Sequence, residues 1–413
     1  MMSYKPDRLL PKFLWIKICA YLPISDHINL YLSSRYFSLM FKEDDWKNIF
    51  FNNINDDIAV VCNNNSSKFW YTCCTSYIGC DTIMAMLDII GYRKYDNAFK
   101  DWYHGTGILS MIKNNTIHTH NEIYSLKHGE IKHYRVYFKN KTFNWPAFGE
   151  DGLDLDPDNM IDIKFDCNYK IDLIGTQNDA LQTIFKSDNL KWMSIIIPRS
   201  FTLYNITFDN VRLNFSSRYN VQRSIYHKAR TLYISNCVFY CSINMDHYEH
   251  ITITKCKFIG TRTNFLRSDI HNGISNNKSR IMITDNIYSN NDLSCISIFT
   301  LDKTNLTVSD NTFNHCNMIF IYLDKYNPKI NPIIFKNNCV SDVTTLRLNK
   351  MTIDLFDNIF VNVAHLYTPN DNNLVISNAQ IDNTNKFTNC DVLLPYVKDD
   401  LALRDKWIKT LLN

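Results

Sequence analysis

Three groups of side chains in this 413-residue chain have types and spacings that invite chemistry. His118 and His120 stand two apart, with Glu122, His128, Glu130 and His133 close behind. These are imidazole and carboxylate donors of the kind that hold zinc. No cysteine joins them and they follow no recognisable ligand spacing, so the group reads as a polar strand face and loop. Asp285, Asp310 and Asp357 share one position of a repeated phrase. Carboxylates on neighbouring coils are what calcium binding or acid-base cleavage of a glycosidic bond requires. Asn337 interrupts the series, and the alternation of Asn with Asp marks a backbone bend instead. Cys237 and Cys256 share another position, where cysteine serves as a small buried hydrophobe. The 13 Cys are an odd number without CxxC spacing, which fits reduced thiols better than a disulfide framework. No catalytic residue, metal or cofactor is assigned.

The repeated phrase sets the architecture. From residue 206 onward it reads apolar, x, apolar, x, Asn or Asp, Asn or Cys, x, apolar or aromatic. Copies start at Ile206, Leu232, Ile251, Ile281, Leu306, Ile333, Ile353 and Leu374, with steps of 19 to 30 residues. The third copy carries Lys255 at the fifth place. Two-residue alternation marks a strand, and Asn is the residue that best tolerates a left-handed bend when Gly is scarce. A strand phrase at this interval suits one coil of a parallel β-helix, with two or three short strands per turn paired coil to coil. Leucine-rich repeats need a helix per unit and propellers a longer antiparallel period, so both fit worse. The uneven steps put insertions such as Thr261 to Ser279 in loops on one flank, the expected functional surface.

The N-terminal residues have a different period. Pro11 suits a first helical position, and Leu14, Ile18 and Leu22 form one stripe that ends at Pro23. Ser25 is read as the cap of a second helix carrying Ile28 and Leu32. A third runs through Phe37, Met40 and Phe41, and a fourth opens at Asp44 or Asp45 and carries Trp46, Ile49 and Phe50. So small a helical unit needs a neighbour or partner to bury its apolar faces.

The set Leu10-Pro11, Leu14, Ile18, Tyr21-Leu22-Pro23, Asp26, Leu30, Leu32, Ser34-Arg35, Phe37 and Trp46 resembles an F-box in order and spacing. That resemblance implies docking on a Skp-type adaptor and, through it, on a cullin-RING ubiquitin ligase. It makes Leu10, Pro11, Leu14, Ile18, Leu22 and Pro23 the adaptor-facing residues. One departure is Phe13, which stands where an acidic residue is usual, weakening a polar contact or enlarging the apolar patch. Thr116 to His120 with Glu122 to Tyr124, and then Lys170 to Gly175, resemble successive first rungs of pectate-lyase-like β-helices. The expected fold is therefore mainly β. It comprises an all-α F-box domain over 5–51, a helical connector over 52–104, a right-handed parallel β-helix over 105–396 and a capping helix over 397–413. Asn63 to Ser67 and an acidic stretch from Glu150 to Asp158 read as loops, and Asn97 to Trp102 as a helical turn. In the last helix Leu403, Trp407 and Leu411 form a stripe suited to plug the final coil.

Charge and composition narrow the function. Lys and Arg number 44 against 41 Asp and Glu, with no basic block to track a phosphate backbone, so no nucleic-acid partner is expected. No signal-peptide core and no apolar run of membrane length stands in the sequence, which predicts a soluble protein of the cytoplasm or nucleus. The expected role is a substrate-recognition adaptor, not an enzyme, whose β-helix binds a target protein. The alternative is a carbohydrate-binding or polysaccharide-degrading solenoid, although the paired Asp and Gly-His-Gly pattern of polygalacturonases is absent. The Asn-rich composition and the module pair also resemble F-box proteins of giant DNA viruses that infect amoebae. In that case the ligase belongs to the host.

Overall fold

A computed structural model describes residues 11–19, 21–33, 35–62, 69–90, 132–144, 160–164, 169–176, 180–196, 200–215, 231–245, 248, 250–260, 263–266, 279–300, 304–323, 333–349, 353–367 and 384–390. Outside them lie Leu10, the stretch from His118 to Glu130, the rung expected at Thr116 to Tyr124, the Asn63, Asn97 and Glu150 segments, the copy at Leu374 and the capping helix. Six helices are described: α1 (Lys12–Cys19), α2 (Ile24–Ser33), α3 (Arg35–Met40), α4 (Glu43–Asn53), α5 (Phe69–Ser76) and α6 (Ile83–Ile90). Most of the other described residues form a parallel β-solenoid.

Its spine, sheet A, stacks nine parallel strands. They are His133–Phe138, Lys170–Gly175, Ser200–Tyr204, Thr231–Ser235, His250–Thr254, Ser279–Thr284, Thr304–Ser309, Ile333–Lys336 and Ile353–Phe356. Register is held by alternation. Leu232 pairs with Ile251, then Ile281, then Leu306, while Ile234, Ile253, Ile283 and Val308 form the adjacent inward column. A slip by one residue would turn both columns out to water, so the apolar period fixes the pairing. Sheet B carries the rest of each coil. In Ile287–Thr300 its first half pairs with Lys257–Ile259 and its second half with Thr263–Leu266, so a coil has three short parallel faces. The segment expected as an insertion loop at Thr261 thus contributes a strand at Thr263–Leu266. Its apolar pair Phe265-Leu266 was too short to register as a period.

The bends explain the polar half of the phrase. Asn205, Asn236, Lys255, Asp285, Asp310, Asn337 and Asp357 all have φ between 52° and 60°. Five residues on, Asn210, Gly260, Asn290, His315, Asp342 and Asn362 repeat the left-handed turn between the two halves of sheet B. The sixth phrase position has a separate role. Asn286, Asn311, Asn338 and Asn358 point into the core and are 0–1 % exposed. Each side-chain amide donates to the Oδ1 of the next coil's Asn at 2.9–3.1 Å, ending on Asn385, and to a main-chain carbonyl of the preceding coil. Full pairing is the condition for burying amides. Beside this ladder the eighth position forms a stack of rings, Phe208, Phe239, Phe258, Tyr288 and Phe313, with centroids 4.7–5.3 Å apart.

One copy of the phrase was misaligned. Leu232 pairs with Phe201, and Asn236 follows in line with Asn205, so the rung before Leu232 is Phe201 to Phe208 and not Ile206 to Leu213. The same phrase fits Phe201 to Phe208 and Ile206 to Leu213, because an apolar pair followed by Asn recurs five residues on, which let it be read five residues late. At the far end Asn385 and Phe387 stack on Asn358 and Phe360.

The N-terminal end of the solenoid is closed by a mixed unit. Ile58–Cys62 and Ile78–Cys80 extend sheet A by antiparallel pairing onto His133–Phe138. The expected helical connector therefore holds two strands besides α5 and α6. Ile58-Ala59-Val60-Val61 is buried on both sides, which is why it is apolar throughout. Ile58 and Val60 join the solenoid core, while Ala59 and Val61 join a second core with Met40, Trp46, Ile49 and Phe50. α6 places Ile83, Met86, Leu87 and Ile90 over the end of the solenoid core.

Candidate partner-binding faces

The helical module is built from caps and aromatic packing. The Pro11 carbonyl accepts the amides of Leu14 and Trp15, opening α1, and the Pro23 carbonyl accepts those of Asp26 and His27, opening α2. α2 thus starts at Ile24, and Ser25, expected as its cap, lies inside the first turn. The backbone amide of Lys42 donates to Asp45 at 2.8 Å, so α4 opens at Glu43, one residue before the expected start. Trp46 sits at the centre of the module, its ring 5.2–5.4 Å from those of Tyr31, Phe41 and Tyr71.

This packing leaves apolar groups uncovered. Of the residues expected to face an adaptor, Pro11, Ile18 and Pro23 are exposed. Leu14 is half-buried, and Leu22 leans against the second core. Phe13 is 60 % and Tyr21 90 % exposed, and Leu32 and Leu39 stand out from α2 and α3. Leu39 was missed in the sequence because helix α3 is too short to show which face it buries.

The module is clamped to sheet A by charge and rings. His133 Nε2 lies 2.7 Å from Asp172 Oδ2, and Arg135 Nε donates to the same oxygen at 3.2 Å. The Arg135 guanidinium lies over the Phe69 ring of α5, 4.2 Å from its centroid, a cation-π contact. Burial alone would raise the Asp172 carboxyl, but hydrogen bonds and charge from His133, the Thr202 hydroxyl and Arg135 outweigh it and hold the group below its ordinary value. Tyr137, pushed upward by burial, packs against Phe50, Phe51 and Trp70. Lys139 Nζ donates to the Asn55 carbonyl at 2.7 Å, and Lys141 pairs with Asp57. His133 belongs to this clamp. The signal that could have found it was the register itself, which sets Arg135 beside Asp172.

Beyond the clamp the outer side of sheet A carries exposed and half-buried side chains, with Ser235 and Ser309 buried just before the bends. Over the five strands from Ser200–Tyr204 to Thr304–Ser309, alternation directs fifteen side chains away from the core. Eleven carry a hydroxyl, none is a carboxylate, and Arg280 is the one Lys or Arg. Tyr204 and Tyr233 are each 38 % exposed there, with Met282 half-buried nearby.

The Asp and Cys groups singled out for chemistry take structural places. Asp285, Asp310 and Asp357 turn the backbone, and Asp310 Oδ1 accepts from the Asn337 side chain. Cys237 and Cys256 are buried free thiols at the head of the Asn ladder, each donating to a carbonyl two residues back at 3.3 Å. Burial raises Cys256, and pushes Cys73 and Cys74 up to about 12, away from the reactive thiolate range. Among the described residues no three His, Cys, Asp or Glu side chains converge as a metal site, and no helix is long and apolar enough to cross a membrane. No family model, curated protein or solved structure matches the chain.

Proposed function

We propose that the protein is the substrate-recognition adaptor of a Skp-cullin-F-box type ubiquitin ligase. The helical module, an F-box in this reading, docks the Skp-type adaptor, and a right-handed parallel β-helix presents a target protein. The sense of the coil follows from the strong preference of parallel crossovers for the right hand. In this reading the chain performs no catalysis, the setting is the cytoplasm or nucleus, and a giant-virus origin would make the ligase the host's.

One observation carries the reading. The residues matching the F-box motif belong to helices that keep Trp46 and Trp15 inward yet leave Pro11, Phe13, Ile18, Tyr21 and Pro23 to solvent. A helical unit that stabilised itself alone would turn such groups in, and an uncovered apolar set on short helices marks a protein-binding surface. Phe13, in place of the usual acid, adds apolar area to it. The test is capture of the full chain on an immobilised Skp-type adaptor. Wild type is expected to be retained. Leu14→Asp, and Pro11→Ala combined with Leu22→Asp, are expected to be lost, as is Ile18→Asp, whose exposed side chain separates lost contact from lost fold. Absence of capture for the wild type sinks the proposal.

A further inference from the structure

We infer that the outer side of sheet A takes an extended acidic segment of a protein. The inference rests on the adaptor reading for the identity of that protein as the ligase target, but its physical basis is separate. Interface cores are enriched in Tyr, Met and Arg and depleted in Lys, Glu and Asp. On five successive strands here Tyr204, Tyr233, Met282 and Arg280 are of the enriched types and no Asp, Glu or Lys is present, the two tyrosines standing out of a bed of short Ser and Thr side chains. Tyrosines held on a rigid sheet are the usual anchors of binding energy.

Charge and size choose the occupant. Across these strands Arg280 is an exposed cation without a neighbouring carboxylate on the sheet, and His250 precedes it in the same outward column, directly paired in register. Lys170 and Lys336 flank the area on the coils before and after. The one carboxylate at its near border, Asp172, is already engaged by His133 and Arg135. At the far border Asp354 holds a register position beside Ile334. An anionic partner therefore meets Arg280 without opposing charge over the central strands, with Lys170 and Lys336 on the coils to either side. The area is about 19 Å along the stack and about 16 Å along the strands, from strand spacing and rise. That is well short of the roughly 800 Å² per partner of a standard interface, and suits a single extended chain better than a domain. The helical module covers the first two coils of the same side, through Tyr137 and Ile174, so a segment bound here lies next to the adaptor-docking helices.

The experiment selects short random peptides displayed on phage against the full chain, then measures the enriched peptides in solution by fluorescence anisotropy. The expected result is enrichment of Asp and Glu, with binding at least about tenfold weaker, about 1.4 kcal/mol, for Arg280→Glu and for Tyr233→Ala. Arg280→Gln should fall between, and Ile287→Ser, exposed on sheet B, should bind as wild type. Thermal melting establishes that each variant is folded. Peptides without acidic bias, or acidic peptides indifferent to the sheet A substitutions, would overturn the inference. Displacement of the peptide by polygalacturonate at equal charge would also overturn it in favour of a glycan site. The same preparations are passed over the Skp-type adaptor. Loss of that capture in the wild type refutes the adaptor reading while leaving the peptide result standing.

Discussion

Neighbouring asparagines in one repeat do unlike work, and their substitution should separate the roles. Asn337 turns the backbone at φ 52°, whereas Asn338, one residue on, is buried and accepts from two nitrogens of Asn311 while donating to Val308 and Asn358. Asn338→Ala removes an acceptor from Asn311 and a donor from a buried carbonyl, and is expected to cost about 3 kcal/mol at one to three per orphaned group. Asn337→Ala is expected to cost about 1 kcal/mol, the penalty of a left-handed L-residue. Denaturant midpoints of the two variants measure the difference. Lys255 is the converse case, a long side chain at φ 57° where the other coils use Asn or Asp. Lys255→Asn is expected to stabilise the fold by about 1 kcal/mol by the same measurement. The sequence showed that the Asn/Asp pair makes a bend. It did not show that the second residue turns inward, because both places accept the same residue types and burial is a property of the stacked coils.

At the scale of elements, the Asp172 pairing, which joins the first strands of sheet A and holds Arg135 against the Phe69 ring of α5, makes a pH-dependent contribution. The folded carboxyl of Asp172 is held below its ordinary value, so the folded state binds its proton less readily than the unfolded chain does. Its contribution is complete above the unfolded pKa of about 4 and fades as pH falls through the lower folded value. Asp172→Asn is therefore expected to lower the melting temperature at neutral pH and to narrow the gap to wild type in strong acid. A gap unchanged down to pH of about 2 would show that the pair contributes no charge energy. Strands of sheet A were legible from Leu232 to Phe356, where apolar alternation ended in Asn or Asp, or once in Lys255, while Lys170–Gly175 was legible through its resemblance to a β-helix rung. The cap strand Ile58–Cys62 was missed because burial on both sides erases alternation. The copy placed at Ile206 was five residues late because two bends of the same kind stand five residues apart, at Asn205 and Asn210.

Over the whole molecule, the solenoid carries an aromatic stack, an amide ladder and two aliphatic columns from coil to coil, and any one coil depends on its neighbours for all of them. Its N-terminal end is sealed by a unit whose strand Ile58–Cys62 faces two cores at once, which ties the helical module to the stack. The parallel solenoid was readable because each coil repeats the same physical problem. A docking role for α1 to α3 has no such redundancy, since it rests on one motif read once, and exposure of Phe13, Ile18 and Tyr21 appears only in three dimensions. The most direct measurement is calorimetric titration of the full chain with a purified Skp-type adaptor. Saturable one-to-one binding, weakened at least about tenfold by Ile18→Asp in a variant that melts like wild type, is the predicted result. A wild-type titration without saturable heat, and without co-elution of the two proteins, would contradict it.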